Sequence, residues 1–350
     1  MSVYESSDYD RHERVVFHRD PETGMRAIIA IHNSNLGPAL GGCRMWAYES
    51  EAAAVRDVLR LSRGMTYKAA IAGVELGGGK SVIIGDPHHD KSPEILHAMG
   101  RFIETLNGRY ITGEDIGTNV YDMAEIKTET RYVTCLRKED GGYGDPAPMT
   151  ALGVFLAMRA GIEARLDRSD YDGLKVAVQG VGNVGFNLCR LLTDAGARLT
   201  VADVYEPNLQ RAVDTLGAAV VAPDAIYEVD ADVFSPCAMG GTLNNETILR
   251  LKAKVVAGAA NNQLGEPEHG ALLSGRQITY LPDYVANGGG LVCVAAEWYR
   301  HDESQVEANV NRIYGTCVEI LGRASTLGIP TSEAADRIAE ERFHPHPKVN

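Results

Sequence analysis

Residues 174–203, LKVAVQGVGNVGFNLCRLLTDAGARLTVAD, decide how this chain folds. LKVAVQ (174–179) has the length and β-branched content of a buried strand. Gly180-Val181-Gly182-Asn183-Val184-Gly185 follows at once. Val184, Leu188, Leu191 and Leu192 then share one face of a helix closed by Gly196. A second strand, RLTVAD (198–203), ends on Asp203. A lone G-x-G-x-x-G means little in a chain with 37 glycines, but here strand, turn, helix and terminal acid agree. The glycines permit a tight turn and let a pyrophosphate approach the N–H groups at the helix start. Asp203 stands where a carboxylate accepts hydrogen bonds from the adenosine ribose. Val204, Tyr205 and Glu206 supply no cation for a 2′-phosphate, so the expected cofactor is NAD rather than NADP. The plainer reading, a glycine-rich turn with a solvated aspartate, does not account for all four features together.

Downstream, helical stretches alternate with short strands: AAVVA (218–222), ADVFSP (231–236), KVVAGAA (254–260) and QITYLPD (277–283). Such alternation predicts an α/β fold with a parallel, doubly wound, Rossmann-like sheet. Upstream lies a helical stretch at 151–166. Before it, RKEDGGYGDPAPM (137–149) has the glycine, proline and charge of a linker. The first part mixes strands and helices. MRAIIAIHN (25–33) reads as a buried strand, ESEAAAVRDVLRLSRG (49–64) as a helix capped by Ser50, and SVIIGDP (81–87) as a short strand. SPEILHAMGRFIETLNG (92–108) reads as a helix capped by Ser92, and RYITG (109–113) as a strand delivering Glu114 and Asp115. The expected organisation is an N-terminal mixed-sheet catalytic and oligomerisation domain over residues 1–140, completed by C-terminal helices at about 330–350. An NAD-binding domain follows over 141–329, with a cleft between the two.

The balance of 47 acidic and 34 basic residues gives a net charge of −13, which disfavours nucleic acid or an anionic membrane as partner. The 6 cysteines are widely spaced without C-x-x-C, so neither a zinc site nor a disulfide framework is signalled. The start is polar and acidic rather than a secretory signal, and the longest low-polarity run, 284–298, is interrupted by Asn287. A cytoplasmic protein is expected. There is no H-E-x-x-H and no carboxylate loop of metal-binding spacing, so no metal is expected.

Two lysines carry the candidate chemistry. Gly77-Gly78-Gly79-Lys80-Ser81 invites comparison with a phosphate loop, but position 74 is valine and the pattern fails. Lys68 and Lys80 instead bracket a glycine-rich connection. Two ammonium groups in one cleft disfavour each other's charge, and burial adds to this, so one lysine becomes a base near neutral pH. Asp115, between glycines at a strand end, is placed for proton transfer. Asn261 and Asn262 follow an apolar strand and offer both donors and acceptors.

With these residues in view, the chain resembles the amino-acid dehydrogenases of the glutamate, leucine, phenylalanine and valine group, and within it the leucine type. The likeness covers nearly the whole length. It rests on LGPALGGCRMWAYESEAAAV, LRLSRGMTYKAAIAGVELGGGKSVIIGDP, NGRYITGEDIGT, VAVQGVGNVGFNLCR, FSPCAMGG, VVAGAANNQL and YLPDYVANGGG. The resemblance implies that Lys68 binds the substrate α-carboxylate with Asn262 and the Gly41–Gly42 backbone. It implies that Lys80 is the general base and that Asp115 moves protons to and from the nitrogen. Thr150 and Asn261 would orient the nicotinamide, with Cys237 and Ala238 on the adenosine side of Gly180–Gly185. The implied reaction is reversible NAD-dependent oxidative deamination of L-leucine and other branched-chain L-amino acids to 2-oxo acids and ammonium. The implied assembly is a homo-oligomer, commonly an octamer. Glutamate-specific relatives carry lysine where this chain has Leu40, so Leu40, Leu291 and Val294 suggest an apolar side-chain pocket. Gly113 replaces the usual alanine, which is expected to enlarge that pocket toward aromatic substrates. Cys43 and Gly288 are further departures. The alternatives are a phenylalanine or tryptophan dehydrogenase, and a silent dinucleotide-binding sensor.

Overall fold

The computed structural model describes residues 3–344, and the chain divides into two compact units. Unit 1 runs to Gly144 and takes in Val294–His301 and the C-terminal residues from Ala339. Unit 2 comprises Asp145–Cys293 and Asp302–Ile338. Residues 345–350, part of the expected C-terminal completion, lie outside the described residues.

Unit 1 is built on a five-stranded mixed sheet. Its strands are β1 (Arg14–Arg19), β2 (Arg26–Asn33), β3 (Ala39–Trp46), β4 (Gly77–Ile84) and β5 (Tyr110–Glu114), in the order β1-β2-β4-β3-β5. β2 is antiparallel to β1 and β4, whereas β4, β3 and β5 run parallel. Its helices are α1 (Glu51–Ala72), α2 (Pro93–Glu104) and α3 (Val120–Lys127). The near-continuous apolar run of β2 follows from coverage on both faces. Ile29 and Ile31 join Leu96, Met99, Phe102 and Ile103 of α2 in one core, while Ile28 and Ala30 join Ala54, Val58 and Leu59 of α1 in another. Each of the larger side chains contributes about 1.5–3 kcal/mol on full burial. Ser50 and Ser92 cap α1 and α2, accepting from the N–H groups of Ala53 and Ile95. α1 continues past Gly64 and stops at Gly73, whose φ of 68° suits the left-handed cap.

Unit 2 carries a six-stranded all-parallel sheet. Its strands are β6 (Lys175–Gln179), β7 (Arg198–Ala202), β8 (Ala219–Val220), β9 (Val233–Pro236), β10 (Val255–Val256) and β11 (Thr279–Tyr280), in the order β11-β10-β9-β6-β7-β8. The first strand is central, and the winding reverses between β6 and β9, the topological switch point of a doubly wound sheet. Its helices start with α4 (Ala147–Leu166), α5 (Asn183–Asp194) and α6 (Glu206–Leu216). Short helices α7 (Thr247–Arg250), α8 (His269–Gly275) and α9 (Asp283–Ala286) follow. Then comes α11 (Glu303–Leu327), while α10 (Gly289–Tyr299) and α12 (Thr331–Phe343) begin in unit 2 and end in unit 1. Ala177, Ala202, Phe234, Val256 and Tyr280 point from the strands into one core with Ile248, Leu251 and Leu273. On the other face α4 comes close enough that a Cβ on Gly161 would lie 2.8 Å from Val255. The expected strand over 254–260 is confined to Val255–Val256, and beyond it Gly258 packs directly on Pro236. Among the described residues no helix is long and apolar enough to cross a membrane.

Candidate active site

In unit 1 the site is built where α1 crosses the sheet. Register puts Lys80 opposite Ala30, and Gly42 opposite Gly113. Lys80 and Val82 alternate with Gly79 and Ser81, so they share a face, and Val82 packs under α1. A Cβ on Gly78 would lie 2.1 Å from the Thr66 nitrogen of α1, and one on Gly79 would lie 2.8 Å from the Tyr110 ring. The triple glycine is therefore strand interior, not the connection expected from sequence. It is bare because a helix backbone presses on one side and an aromatic ring on the other.

Lys80 is 5% exposed, and its Nζ lies 2.9 Å from Oδ1 of Asp115. The second oxygen, Oδ2, accepts from Nε of Arg44 at 2.7 Å. The Asp115 N–H donates to Thr118 Oγ1 at 3.0 Å, which fixes the turn after β5. Burial is the largest influence on Lys80 and draws its amine below the ordinary lysine range, against the pull of Asp115. Burial alone raises Asp115, but Lys80 and Arg44 outweigh it and hold the carboxyl below the usual range. The result is an anion gripping an amine that gives up its proton more readily than a surface lysine. Arg44 adds to burial in disfavouring the Lys80 ammonium. Lys68 sits half-buried on α1, two residues beyond Thr66.

Gly41 and Gly42 lie inside β3, and the Gly41 carbonyl accepts from the Tyr110 hydroxyl at 2.5 Å. Leu40 is 2% exposed in the same strand, beside Gly78 and Ile111. The expected enlargement at Gly113 is not there. A Cβ on Gly113 would meet Cys135 Sγ at 2.8 Å and Thr134 Oγ1 at 3.3 Å, so the cysteine fills the space. Cys43 faces the α2 core, where burial pushes its thiol up to about 12. Sequence reasoning missed Arg44; its only signal was a cation on the strand that carries Gly41 and Gly42.

In unit 2 the residues 180–185 form a cradle at the switch point. Gly180 has φ of 90°, and a Cβ there would lie 2.8 Å from that of Ala238. A Cβ on Gly185 would lie 2.0 Å from the Gly180 carbonyl oxygen, whereas the space around Gly182 is open. Gly182 is the N-cap of α5, which begins at Asn183, with Val184 in its first turn. Asp203, just past β7, accepts from the N–H of Val181 at 2.8 Å and of Tyr205 at 2.9 Å. Burial raises its carboxyl, but these hydrogen bonds hold it below the usual range. Cys237 continues β9, its N–H donating to the Gln179 carbonyl at 2.7 Å.

The remaining expected residues of unit 2 are also placed. Thr150 lies in the first turn of α4, its hydroxyl donating to the Pro146 carbonyl at 2.9 Å. Asn261 accepts from the Asn287 side chain at 2.8 Å. Asn262 has φ of 52°, and its N–H donates to Asp283 at 2.6 Å. Leu291 is buried in α10. Val294, on the same helix, belongs to unit 1.

The two sheets with their side-chain groups define an NAD(P)-dependent amino-acid dehydrogenase. Residues 12–132 match the Glu/Leu/Phe/Val dehydrogenase dimerisation domain, and residues 141–207 and 206–338 match the Glutamate/Leucine/Phenylalanine/Valine dehydrogenase domain. The chain is 51% identical to a leucine dehydrogenase of Bacillus subtilis, over 98% of this chain and 94% of that one. It is 47% identical to a phenylalanine dehydrogenase of Bacillus thermotolerans, over 97% and 90%. The crystal structure of L-tryptophan dehydrogenase from Nostoc punctiforme superposes with a TM-score of 0.87 at 45% identity, covering 96% of each chain. The chain belongs to the Glu/Leu/Phe/Val dehydrogenase family.

Proposed function

We propose that the protein catalyses the reversible NAD-dependent oxidative deamination of L-leucine and other branched-chain L-amino acids. L-Amino acid, NAD⁺ and water give 2-oxo acid, ammonium, NADH and a proton. The observation that carries this reading is the Lys80 amine, buried and set 2.9 Å from Asp115. An exposed lysine would stay protonated at neutral pH; a buried one whose amine titrates lower acts as a base.

The residues of unit 2 fit a dinucleotide. The open space at Gly182 leaves the start of α5 free for a pyrophosphate, and Asp203, its carboxyl held below the usual range, would accept hydrogen bonds from a ribose. Held there, the dinucleotide would supply the acceptor for the hydride leaving the substrate Cα. Gly180, Val181, Gly182, Asn183, Val184 and Gly185 hold the phosphates, with Cys237 and Ala238 beside the adenosine. Thr150 and Asn261 orient the carboxamide. Lys68, Asn262 and the Gly41–Gly42 backbone hold the substrate α-carboxylate. Lys80 takes a proton from the water that attacks the imino acid, and Asp115 returns one to the departing nitrogen. Leu40, Leu291 and Val294 line the side-chain pocket, with Gly113 at its edge. Leu40, buried in β3, offers nothing to pair a second carboxylate, which disfavours glutamate. Asp203, followed by Val204, Tyr205 and Glu206 with no cation among them, favours NAD over NADP. The protein works as a cytoplasmic homo-oligomer, an octamer. Unit 1, which takes in residues 294–301 and the chain from 339 rather than from 330, forms the catalytic and oligomerisation domain, and unit 2 the NAD-binding domain.

The test is NADH formation by the purified protein with leucine, valine, isoleucine, phenylalanine and tryptophan, using NAD⁺ and NADP⁺. The expected result is the highest kcat/KM on the branched-chain acids with NAD⁺. A higher value on phenylalanine or tryptophan would move the substrate to that class. NAD binding without turnover on any amino acid would leave a sensor and end the proposal.

A further inference from the structure

Arg44 takes no part in the chemistry above, yet it organises the groups that do. Its guanidinium is a junction between two carboxylates: Nε donates to Asp115 Oδ2 at 2.7 Å and one terminal nitrogen donates to Asp57 Oδ2 at 2.8 Å. Asp57 comes from α1. The Tyr48 hydroxyl, from the β3–α1 connection, donates to the same Asp57 oxygen at 2.7 Å. Arg44, Asp57 and Asp115 side chains are only 16%, 15% and 20% exposed, so water screens them weakly. The chain Lys80–Asp115–Arg44–Asp57–Tyr48 thus runs without a gap from the reacting amine to α1. One Asp115 oxygen faces each cation, which leaves the carboxylate a single orientation. Charge-assisted bonds of this kind are short and directional, and the planar guanidinium holds two of them at a fixed angle.

We propose that Arg44, clamped by Asp57 and Tyr48, is a positioning residue that fixes Asp115 across Lys80 and sets the pH range in which Lys80 works as a base. This rests on Lys80 being that base. The titratable and charged groups around Lys80 are Asp115 from the end of β5, and Arg44 and Cys43 from β3. Beyond Arg44 stand Asp57 of α1 with Tyr48 and the exposed Arg60 against it, and β2 contributes His32, bonded to Thr66 of α1 and drawn by burial down to about 4, while Lys68 lies further along α1. Cys43 remains a thiol, and burial, with Asp57 beside it, keeps the Tyr48 hydroxyl protonated far above its ordinary range. Arg44 and Asp57 are therefore the charges that bias the Lys80–Asp115 pair from behind, and they act with opposite sign. Arg44 disfavours the Lys80 ammonium and Asp57 favours it.

The experiment is the pH dependence of kcat/KM for deamination in Arg44→Gln, Arg44→Lys and Asp57→Asn. Competitive acetic anhydride labelling of Lys80 is read in parallel, because it follows the amine without turnover. In Arg44→Gln the acid limb should move up by about 1 pH unit, since a like charge leaves the ammonium. In Asp57→Asn it should move down by roughly half a unit, since an anion is lost behind Arg44. Arg44→Lys keeps the charge but loses the fork, so the limb should stay at the wild-type position while kcat falls. Shifts of opposite sign support the proposal, because general damage to the fold would not produce them. Coincident limbs, or limbs moving the same way, would overturn it. If Arg44→Gln does not fold, Asp57→Asn decides, because it is isosteric. A wild type without turnover on any amino acid defeats the functional reading, whereas the labelling limbs still decide the coupling.

Discussion

Alanine at position 78 puts the packing of the site to a direct test. The added Cβ would stand 2.1 Å from the Thr66 nitrogen, 2.2 Å from its Oγ1 and 2.5 Å from its Cα. Two of these three atoms are helix backbone, which cannot rotate away. Restoring ordinary contact requires α1 to withdraw from β4 by roughly 1 Å, and overpacking of this kind costs about 1–3 kcal/mol. We expect the upper end of that range, because the neighbour is not a flexible side chain. At about 2–4 °C per kcal/mol, Tm should fall by roughly 6–12 °C. α1 carries Lys68 and Asp57, and β4 carries Lys80, so the same withdrawal should lower kcat/KM by about 10²-fold. Gly64→Ala is the internal control. Position 64 lies in α1 with open space around it, so a methyl there should stabilise by about 0.5–1 kcal/mol. Calorimetry and steady-state kinetics on both variants read the result. Were Gly78→Ala to retain the wild-type Tm and kcat/KM, the missing side chain would not be what sets the approach of α1 to β4.

Three further outcomes are expected. Gly185→Ala drives a methyl onto the Gly180 carbonyl oxygen at 2.0 Å and should abolish dinucleotide binding in a calorimetric titration; retained affinity would contradict the assigned cradle. Asp203→Ala should weaken NAD binding and narrow the preference over NADP, and unchanged affinity for both would remove the ribose contact. Burial pulls folded His32 down to about 4 from its ordinary 6.5, and its Nδ1 lies 2.8 Å from Thr66 Oγ1. Between those values the unfolded chain holds more protons, so stability is full above 6.5 and is lost as the pH falls toward 4. The loss is about 3 kcal/mol, and His32→Asn should flatten this part of the pH–stability curve in urea unfolding.

Much of this architecture is legible in the sequence, and the exceptions have physical reasons. The six strands of unit 2 all stand where the alternation of apolar runs and helices puts them, because a parallel sheet covered on both faces needs apolar runs of that kind. β3 and the start of β4 escape notice, because Gly41, Gly42 and Gly77–Gly79 look like turns when their neighbours are unknown. Only tertiary contact shows that a strand, a helix backbone and a tyrosine ring exclude side chains there. Gly64 looks like a helix stop for the same reason; the true stop is Gly73, with its positive φ. Lys80 and Asp115 stand out by residue type and setting. Arg44 does not, because what distinguishes it is the pair of carboxylates it joins, one on α1 and one after β5.

The central claim is that the buried Lys80 amine is the base of the reaction, and Lys80→Ala tests it most directly. NADH formation from leucine should fall by about 10³-fold or more, while NAD affinity by isothermal titration stays at the wild-type value. Turnover near the wild-type rate in a variant that still binds NAD would contradict it.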